Sequence, residues 1–489
     1  TITNKKSAPR IRGFFMTKLF TYSLFCICSL FLNYAIAQSQ IEIINADKIS
    51  FNKKVSEDRQ LLIGNVKTKH EDRFLSCDSA YYYAKENKIE AFSNIHIWQG
   101  DTLSLKGDYL LYHGNRQIAE IHNNVLFVHN DMNLETNQLN YNFQTEKGDF
   151  NTRGVITNKN KSLISNEGVY YSTLEKFDFF GDVLVEDEKE RLSADTLYYW
   201  LNTELASFRS NGVIENNEIK AFAQQGWVNQ LEGNAFLCNE VVVTQLQDAY
   251  TLYTDTCIIT EESEETVSYG NTLLELPFND DTLYLTTDTL FNYKKENLLK
   301  AYFDVSFKTN TITGQCDSLS FDTQLDLIYL NNNPVLWLEE FQLTADTIIL
   351  LLDDNNLEKA YLNKSAFIHS SLDSASYNQI SGIDMRANFK ENELHTINVY
   401  GNGESIYYIQ DDETSENVGL NKIICSNMDI TIDERSLKSI KFLQKPDATL
   451  FPIDEIEIEN RLLKNFKTYN KEGVKDKIET KIQVHKAFK

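Results

Sequence analysis

Proline and glycine are scarce in this 489-residue chain, with 5 and 19 residues respectively. That shortage excludes Pro-rich linkers and low-complexity disorder as its main organisation. Beyond residue 37 only the cysteines at 77, 238, 257, 316 and 425 remain, an odd set without close pairs, so no disulfide framework is expected. The eight histidines (70, 96, 113, 122, 129, 369, 395 and 485) show no paired ligand spacing, which leaves zinc unsupported. There is no G-x-G-x-x-G, no Walker-type phosphate loop, no G-x-S-x-G and no H-E-x-x-H. No catalytic residue, cofactor or metal can be nominated, and the chain is read as a non-enzyme. Nor does any stretch beyond residue 37 approach eighteen apolar residues, so the processed chain is expected to be soluble.

Aromatics are plentiful instead, with 29 Phe and 25 Tyr, and they recur in register. A small residue precedes Asp or Asn, and an aromatic or large apolar residue follows four positions after it. The phrase reads Ala46-Asp47…Phe51, Cys77-Asp78…Tyr82, Gly107-Asp108…Tyr112, Thr136-Asn137…Tyr141, Ser165-Asn166…Tyr170 and Ala194-Asp195…Tyr199. It resumes at Thr287-Asp288, Cys316-Asp317…Phe321, Ala345-Asp346…Leu350 and, more loosely, Ile383-Asp384. A period of about thirty residues is the mark of a stacked repeat. Cys77 and Cys316 occupy the small-residue column and are read as buried fillers.

About sixteen residues after each Asp comes a second phrase: two apolar positions, then Asn, Gly or Asp, then Val and alternation. Examples are Phe92-Ser-Asn94-Ile95, Phe180-Gly181-Asp-Val183 and Phe208-Arg-Ser-Asn-Gly212-Val213. A strand, a turn or bulge favouring Asn or Gly, and a second strand give this form. Each repeat is then a two-strand unit too small to bury its apolar face alone. The fold class expected is all-β, a solenoid-like stack of antiparallel two-strand repeats with the Asp column hydrogen-bonding neighbouring turns. Two blocks are expected, 38–214 and 276–450. Residues 215–275 are either a junction or an eroded continuation, and 451–489 a C-terminal extension.

Residues 16–37 show a basic start after Met16, an apolar core from Leu19 to Leu32, and Ala35-Ile36-Ala37. This predicts a secretory signal peptide cleaved after Ala37, with residues 1–15 upstream of the true start. The apolar run is short for a membrane span, and no lipobox-like sequence precedes Cys26 or Cys28. The net charge is −24, yet the first 37 residues carry +5 and those from Asn460 onward +6, leaving the body near −35. Such a surface repels phosphate backbones, so no nucleic-acid partner is expected. The basic tail is expected to be a solvated, partly disordered end, with a membrane or partner contact as the alternative.

The run Ile44-Asn-Ala-Asp47-Lys-Ile-Ser-Phe51, then Leu62-Ile-Gly64-Asn65-Val66, then Leu75-Ser-Cys-Asp78-Ser-Ala-Tyr-Tyr82, resembles the OstA-like/LptA family of lipopolysaccharide-transport proteins. The resemblance implies an elongated, open β-jelly roll enclosing an apolar groove. It also implies a periplasmic place, outer-membrane association being the variant, and a task of carrying lipopolysaccharide for outer-membrane assembly. The partners implied are lipopolysaccharide and inner- and outer-membrane transport components met through terminal β-strands; end-to-end self-association is a further expectation. This chain is more than twice as long as the single-domain periplasmic bridge. It also lacks the long C-terminal run of amphipathic membrane strands of an outer-membrane translocon. Candidate groove-lining residues are Ile49, Phe51, Leu103, Leu110, Val125, Phe127, Val183 and Leu197, which otherwise simply fill a closed core. Competing readings are an envelope β-solenoid without ligand, and a polysaccharide-acting β-helix enzyme with a carboxylate-lined cleft.

Overall fold

The computed structural model describes residues 39–51, 58–247, 249–278, 281–373, 375–390, 393–411, 414, 416–433 and 436–486. The expected signal peptide lies outside them. The contacts divide the chain into two compact units. One holds the residues up to His122 with Asn142–Gln144; the other holds Asn123–Tyr141 with Thr145–Lys489.

Both units are built almost wholly from antiparallel strands. In the first, Arg59–His70, Arg73–Tyr83, Lys88–Gln99 and Leu103–His113 each pair with the next. Glu42–Asn45 and Lys48–Phe51 both pair with Arg59–His70. In the second unit ten successive strands from Lys176–Glu186 to Ile312–Asp322 do the same. Residues 219–278 thus hold four strands of an unbroken ladder, although their repeat phrase is worn. Period-two alternation gives each strand a buried face, as in Leu103–His113 with Leu103, Leu105, Leu110 and Tyr112 buried.

The second phrase of the repeat is a bulge with two consecutive residues in the left-handed region: Ser93-Asn94, Ser210-Asn211, Asn239-Glu240 and Gly270-Asn271 among others. Two residues on one strand oppose a single residue on its neighbour, which bends the strand. Non-glycine residues resist this conformation by about 1–2 kcal/mol, least for Asn and Asp. Their presence here therefore records a fixed geometric demand. At Gly270 a side chain is also excluded, since a Cβ there would meet Asp255 Oδ2 at 2.7 Å. The Asp column faces these bulges. Asn94 Nδ2 donates to Asp78 Oδ2 at 2.8 Å, Asn271 Nδ2 to Asp255 Oδ2 at 2.9 Å, and Asn65 Nδ2 to Asp47 Oδ2 at 2.9 Å.

The small residue before the Asp sits inside the same corner and satisfies its carbonyls. Thr287 Oγ1 donates to Tyr302 O at 2.7 Å and Thr254 Oγ1 to Tyr269 O at 3.0 Å. Cys77 and Cys316 fill the equivalent positions as free, buried thiols, and burial pushes both up to about 12. The halves of each strand before and after the bulge belong to two facing layers whose inward side chains meet. Phe127 lies 5.1 Å from Tyr141 and 6.0 Å from Tyr170, and Tyr170 stacks on Phe177 at 4.5 Å.

The C-terminal extension corrects the sequence reading. Its described residues are an ordered strap ending in a helix, Lys471–Lys486. Val474, Ile478 and Ile482 pack on Tyr253, Leu273, Val335 and Trp337, on the outer face of the sheet. Both faces of those strands are therefore apolar, as the buried run Val335–Leu338 shows. The helix's polar side chains follow the line of corners. Lys477 Nζ lies 2.6 Å from Asp304 Oδ1, Lys481 feels Asp304, Asp288 and Asp255, and the neutral ring of His485 lies 2.9 Å, at Nε2, from Asn271 O. The tail is basic because it docks on the Asp column. No isolated sequence window carries that information.

Candidate functional site

Opposite the corners, the hairpin ends of the two layers face each other along a seam. In the first unit polar contacts bar it. His70 Nδ1 lies 2.6 Å from Tyr112 Oη, and Arg73 Nη1 donates to Gln117 Oε1 at 2.9 Å with its guanidinium 4.9 Å over Phe143. Burial lowers the His70 pKa and pushes Tyr112 up to about 12, so both stay neutral at physiological pH. The space left among them is about 20 Å³, room for one water.

In the second unit His129 Nδ1 meets Tyr170 Oη at 2.8 Å. Lys161 Nζ then bridges Asp187 Oδ2 and Glu204 Oε2, both at 3.1 Å, and donates to Gln230 Oε1 at 2.6 Å. Gln230 Nε2 in turn donates to Glu190 Oε2 at 2.9 Å, and burial raises the Glu190 pKa. Beneath these latches the core is packed with fully buried Phe127, Tyr141, Tyr170, Phe177, Phe179, Tyr199 and Phe208.

Farther along the second unit the inward residues change from aromatics to leucines, and the core opens. A cavity of about 410 Å³ is lined by Leu252, Leu274, Leu276, Leu290, Leu299 and Phe321, with Gln245, Tyr250, Asn292 and Lys294 at its polar end. Leu274, Leu276, Leu299 and Phe321 also line a neighbouring apolar space of about 50 Å³ that runs on to Phe307, Ile328 and Leu357. The larger cavity has the size of a small-molecule site, typically about 300–1,000 Å³. Two light bars cross near its polar end. Lys294 Nζ pairs with Glu218 Oε2 at 3.2 Å, and Asn292 Nδ2 donates to Tyr250 Oη at 3.3 Å. A third cavity, about 210 Å³, lies between Ile368, Ile380, Ile397, Ile430 and Tyr407. No group of His, Cys, Asp and Glu able to hold a metal ion occurs among the described residues.

Of the residues nominated from sequence, Leu103, Leu110, Val125, Phe127, Val183 and Leu197 are buried, the last two at 1% and 0% exposure. Ile49 and Phe51 are about half exposed, at 54% and 48%, on the strand Lys48–Phe51. None of the eight lines the three cavities just described. Leu252 and Leu274 were missed because they fall where the repeat phrase is worn, whereas Leu276, Leu290 and Leu299 lie beyond that stretch. The available signal was Asn292, which stands four positions after its Asp where other repeats have Tyr112, Tyr141, Tyr170 or Tyr199 and leaves volume unfilled.

The OstA-like protein family matches residues 38–195. Over those residues the chain is similar to OstA-like proteins. Among solved structures the chain is similar to LptH from Pseudomonas aeruginosa, described as the LptA-homologous periplasmic component of the conserved lipopolysaccharide transport device. The identity is 18%, covering 23% of this chain and 82% of LptH, with a TM-score of 0.22. No curated protein matches. The OstA-like segment ends before the larger cavity, whose first lining residue is Gln245. No helix among the described residues is long and apolar enough to cross a membrane.

Proposed function

We propose that this protein carries lipopolysaccharide through the periplasm, shielding acyl chains between its two layers on their way to the outer membrane. The OstA-like segment at 38–195 carries the reading, and the leucine-lined cavities of the second unit support it. Each methylene hidden from water is worth about 0.8 kcal/mol, so a chain-length trough offsets most of the cost of removing a lipid from a bilayer. In this reading the cavity at 245–323 accepts acyl chains first. Leu103 and Leu110 contact them only when the His70 and Arg73 contacts release, and Val125, Phe127, Val183 and Leu197 only when the latches at His129 and Lys161 do. Ile49 and Phe51 serve the terminal edge. They lie exposed on a strand whose described pairing is with Arg59–His70, leaving an edge open for strand addition by membrane-bound transport components or a second copy.

The packed aromatic core from Phe127 to Phe208 favours a purely structural role for that segment, so the test must separate the two. A photo-crosslinking residue is placed at Leu299 and at Phe127 in cells. Lipopolysaccharide adducts at both positions support carriage along the whole core, and adducts at Leu299 alone confine it to the cavity. Absence of adducts at every inward position overturns the proposal.

A further inference from the structure

The first unit carries a cationic patch on its outer face, although the net charge of the chain is −24. Alternation along four consecutive strands turns Thr68, Leu75, Ile97 and Leu105 inward and leaves two rows of side chains outside. Lys69, Phe74, Trp98 and Ser104 form one row; Lys67, Ser76, His96 and Lys106 form the other. Glu42, opposite Lys69, is the one carboxylate in these rows among the described residues. Lys67 and Lys106 are exposed, while Lys69 and the two rings are half-buried. Two of the lysines rest on rings. Lys67 Nζ lies 5.5 Å over Trp98 and 5.8 Å over Phe74, and Lys69 Nζ lies 5.7 Å over Phe74. A cation held this way keeps its charge available to an outside anion. Three of them across three strand spacings, about 14 Å, complement a negatively charged surface.

Ring geometry narrows the partner. Trp98 stacks on Phe74 at 5.4 Å and packs against His96 at 4.9 Å, with Lys67 above it. Rings engaged in this way offer no free face to a sugar or a base. Parallel rings side by side on a sheet turn their edges outward, and apolar edges beside lysines suit a membrane–water interface. Burial and then Lys106 lower the pKa of His96, so at neutral pH the lysines alone supply the positive charge. The chain's own basic helix, Lys471–Lys486, has the wrong sign to cover this face.

We propose that this face docks the protein reversibly on the surface of an anionic phospholipid bilayer. Lys67, Lys69 and Lys106 meet lipid phosphates, and the edges of Phe74 and Trp98 settle among the headgroups. The acidic remainder of the chain does not forbid this, because at physiological salt only charges within about 8 Å of the bilayer count. The docking concerns the outer face alone and is independent of what the core carries.

The test is sedimentation of the purified protein with vesicles of phosphatidylcholine, alone or with an equal share of phosphatidylglycerol. Binding to the anionic vesicles is expected to be at least about tenfold tighter. It should vanish between about 0.1 M and about 1 M salt, as the Debye length falls from about 10 Å to about 3 Å. Lys67→Gln, Lys69→Gln and Lys106→Gln should each weaken it about fivefold. Lys220→Gln makes the same change of net charge at an exposed lysine of the second unit and should leave affinity within about twofold. Brominated phosphatidylcholine in the anionic vesicles should quench tryptophan fluorescence, and Trp98→Phe, which keeps an apolar ring, should remove most of that quenching. Equal binding to both vesicles, the same loss from Lys220→Gln, or quenching that survives Trp98→Phe would each overturn the proposal. Displacement by soluble glycerol phosphate would overturn it too, assigning the lysines to a small phosphate ligand. Adducts at Leu299 report on the interior, so the carrier reading fails or stands separately.

Discussion

Asn211 Nδ2 donates to Asp195 Oδ2 at 2.8 Å across the strand pair Glu190–Trp200 and Leu205–Asn216. The same sixteen-residue clasp joins Asn94 to Asp78 and Asn271 to Asp255, and Gln224 donates to Glu240 across the same interval. The sixteen-residue interval between the two phrases is thus the half-strand, hairpin and half-strand that return Asn to the corner of its Asp. At Phe303-Asp304 the bulge carries Asp where others carry Asn, and the helix residue Lys477 pairs with it.

Breaking the clasp should cost little, but in a diagnostic way. Asp195→Ala and Asn211→Gly are each expected to lower stability by about 0.5–1.5 kcal/mol, and the double variant by scarcely more than one alone. Asn211→Val should cost a further 1–2 kcal/mol or so, because a β-branched residue resists its left-handed backbone. Urea denaturation of the four variants measures both effects.

Lys161 is the most exacting latch, since its side chain is 10% exposed between Asp187 and Glu204. Lys161→Met should destabilise by about 3–5 kcal/mol, because two carboxylates then face each other without a cation. Lys294→Met, at the half-exposed pair with Glu218, should change stability by less than about 1 kcal/mol. Thermal melts of the two variants make the comparison.

Two buried glutamines hold the C-terminal strap by its backbone. Gln379 donates to Arg461 O and accepts from Leu463 N, both at 2.8 Å. Gln342 donates to Lys467 O at 2.8 Å and accepts from Tyr469 N at 3.0 Å. Gln379→Leu should strand two backbone groups and cost about 1–3 kcal/mol. Hydrogen exchange is expected to accelerate selectively over 456–469, leaving the strands Glu190–Trp200 and Leu205–Asn216 unchanged.

Strap and helix should also loosen in mild acid. Burial holds the pKa of His369, packed between Phe367, Tyr377 and Phe466, below its usual 6.5, and does the same for His485 against Tyr253. The unfolded strap therefore binds more protons than the folded one, so stability rises with pH across this window. It is fully present above about 6.5 and is lost as pH falls towards the lower folded values. Exchange over 456–486 should quicken between pH 7.5 and 5.5, and His369→Phe should blunt that response.

Much of this architecture was legible in the chain. The Asp-aromatic phrase and the Asn/Gly phrase are local, because each encodes one corner and one pair of strands, and repetition makes weak signals add. Cys77 and Cys316 could be assigned to the small column for the same reason, and both are buried there. The strap was not legible. Lys477, Lys481 and His485 look like a solvated basic tail until Asp255, Asp288 and Asp304, some two hundred residues earlier, are brought beneath them. Likewise the worn phrase at 215–275 reflects apolar demand on both faces, since Tyr253 and Leu273 answer the helix while Leu252 and Leu274 answer the cavity.

The sequence by itself determined the repeating unit, its all-β character and the chemistry of its corners, because bulge geometry and strand alternation are settled within about thirty residues. Only the tertiary structure decided where the core is closed and where it is hollow. That outcome depends on the summed volumes of side chains meeting from opposite layers, Phe and Tyr at one end and leucines at the other, and no single stretch of chain contains both sides of that sum.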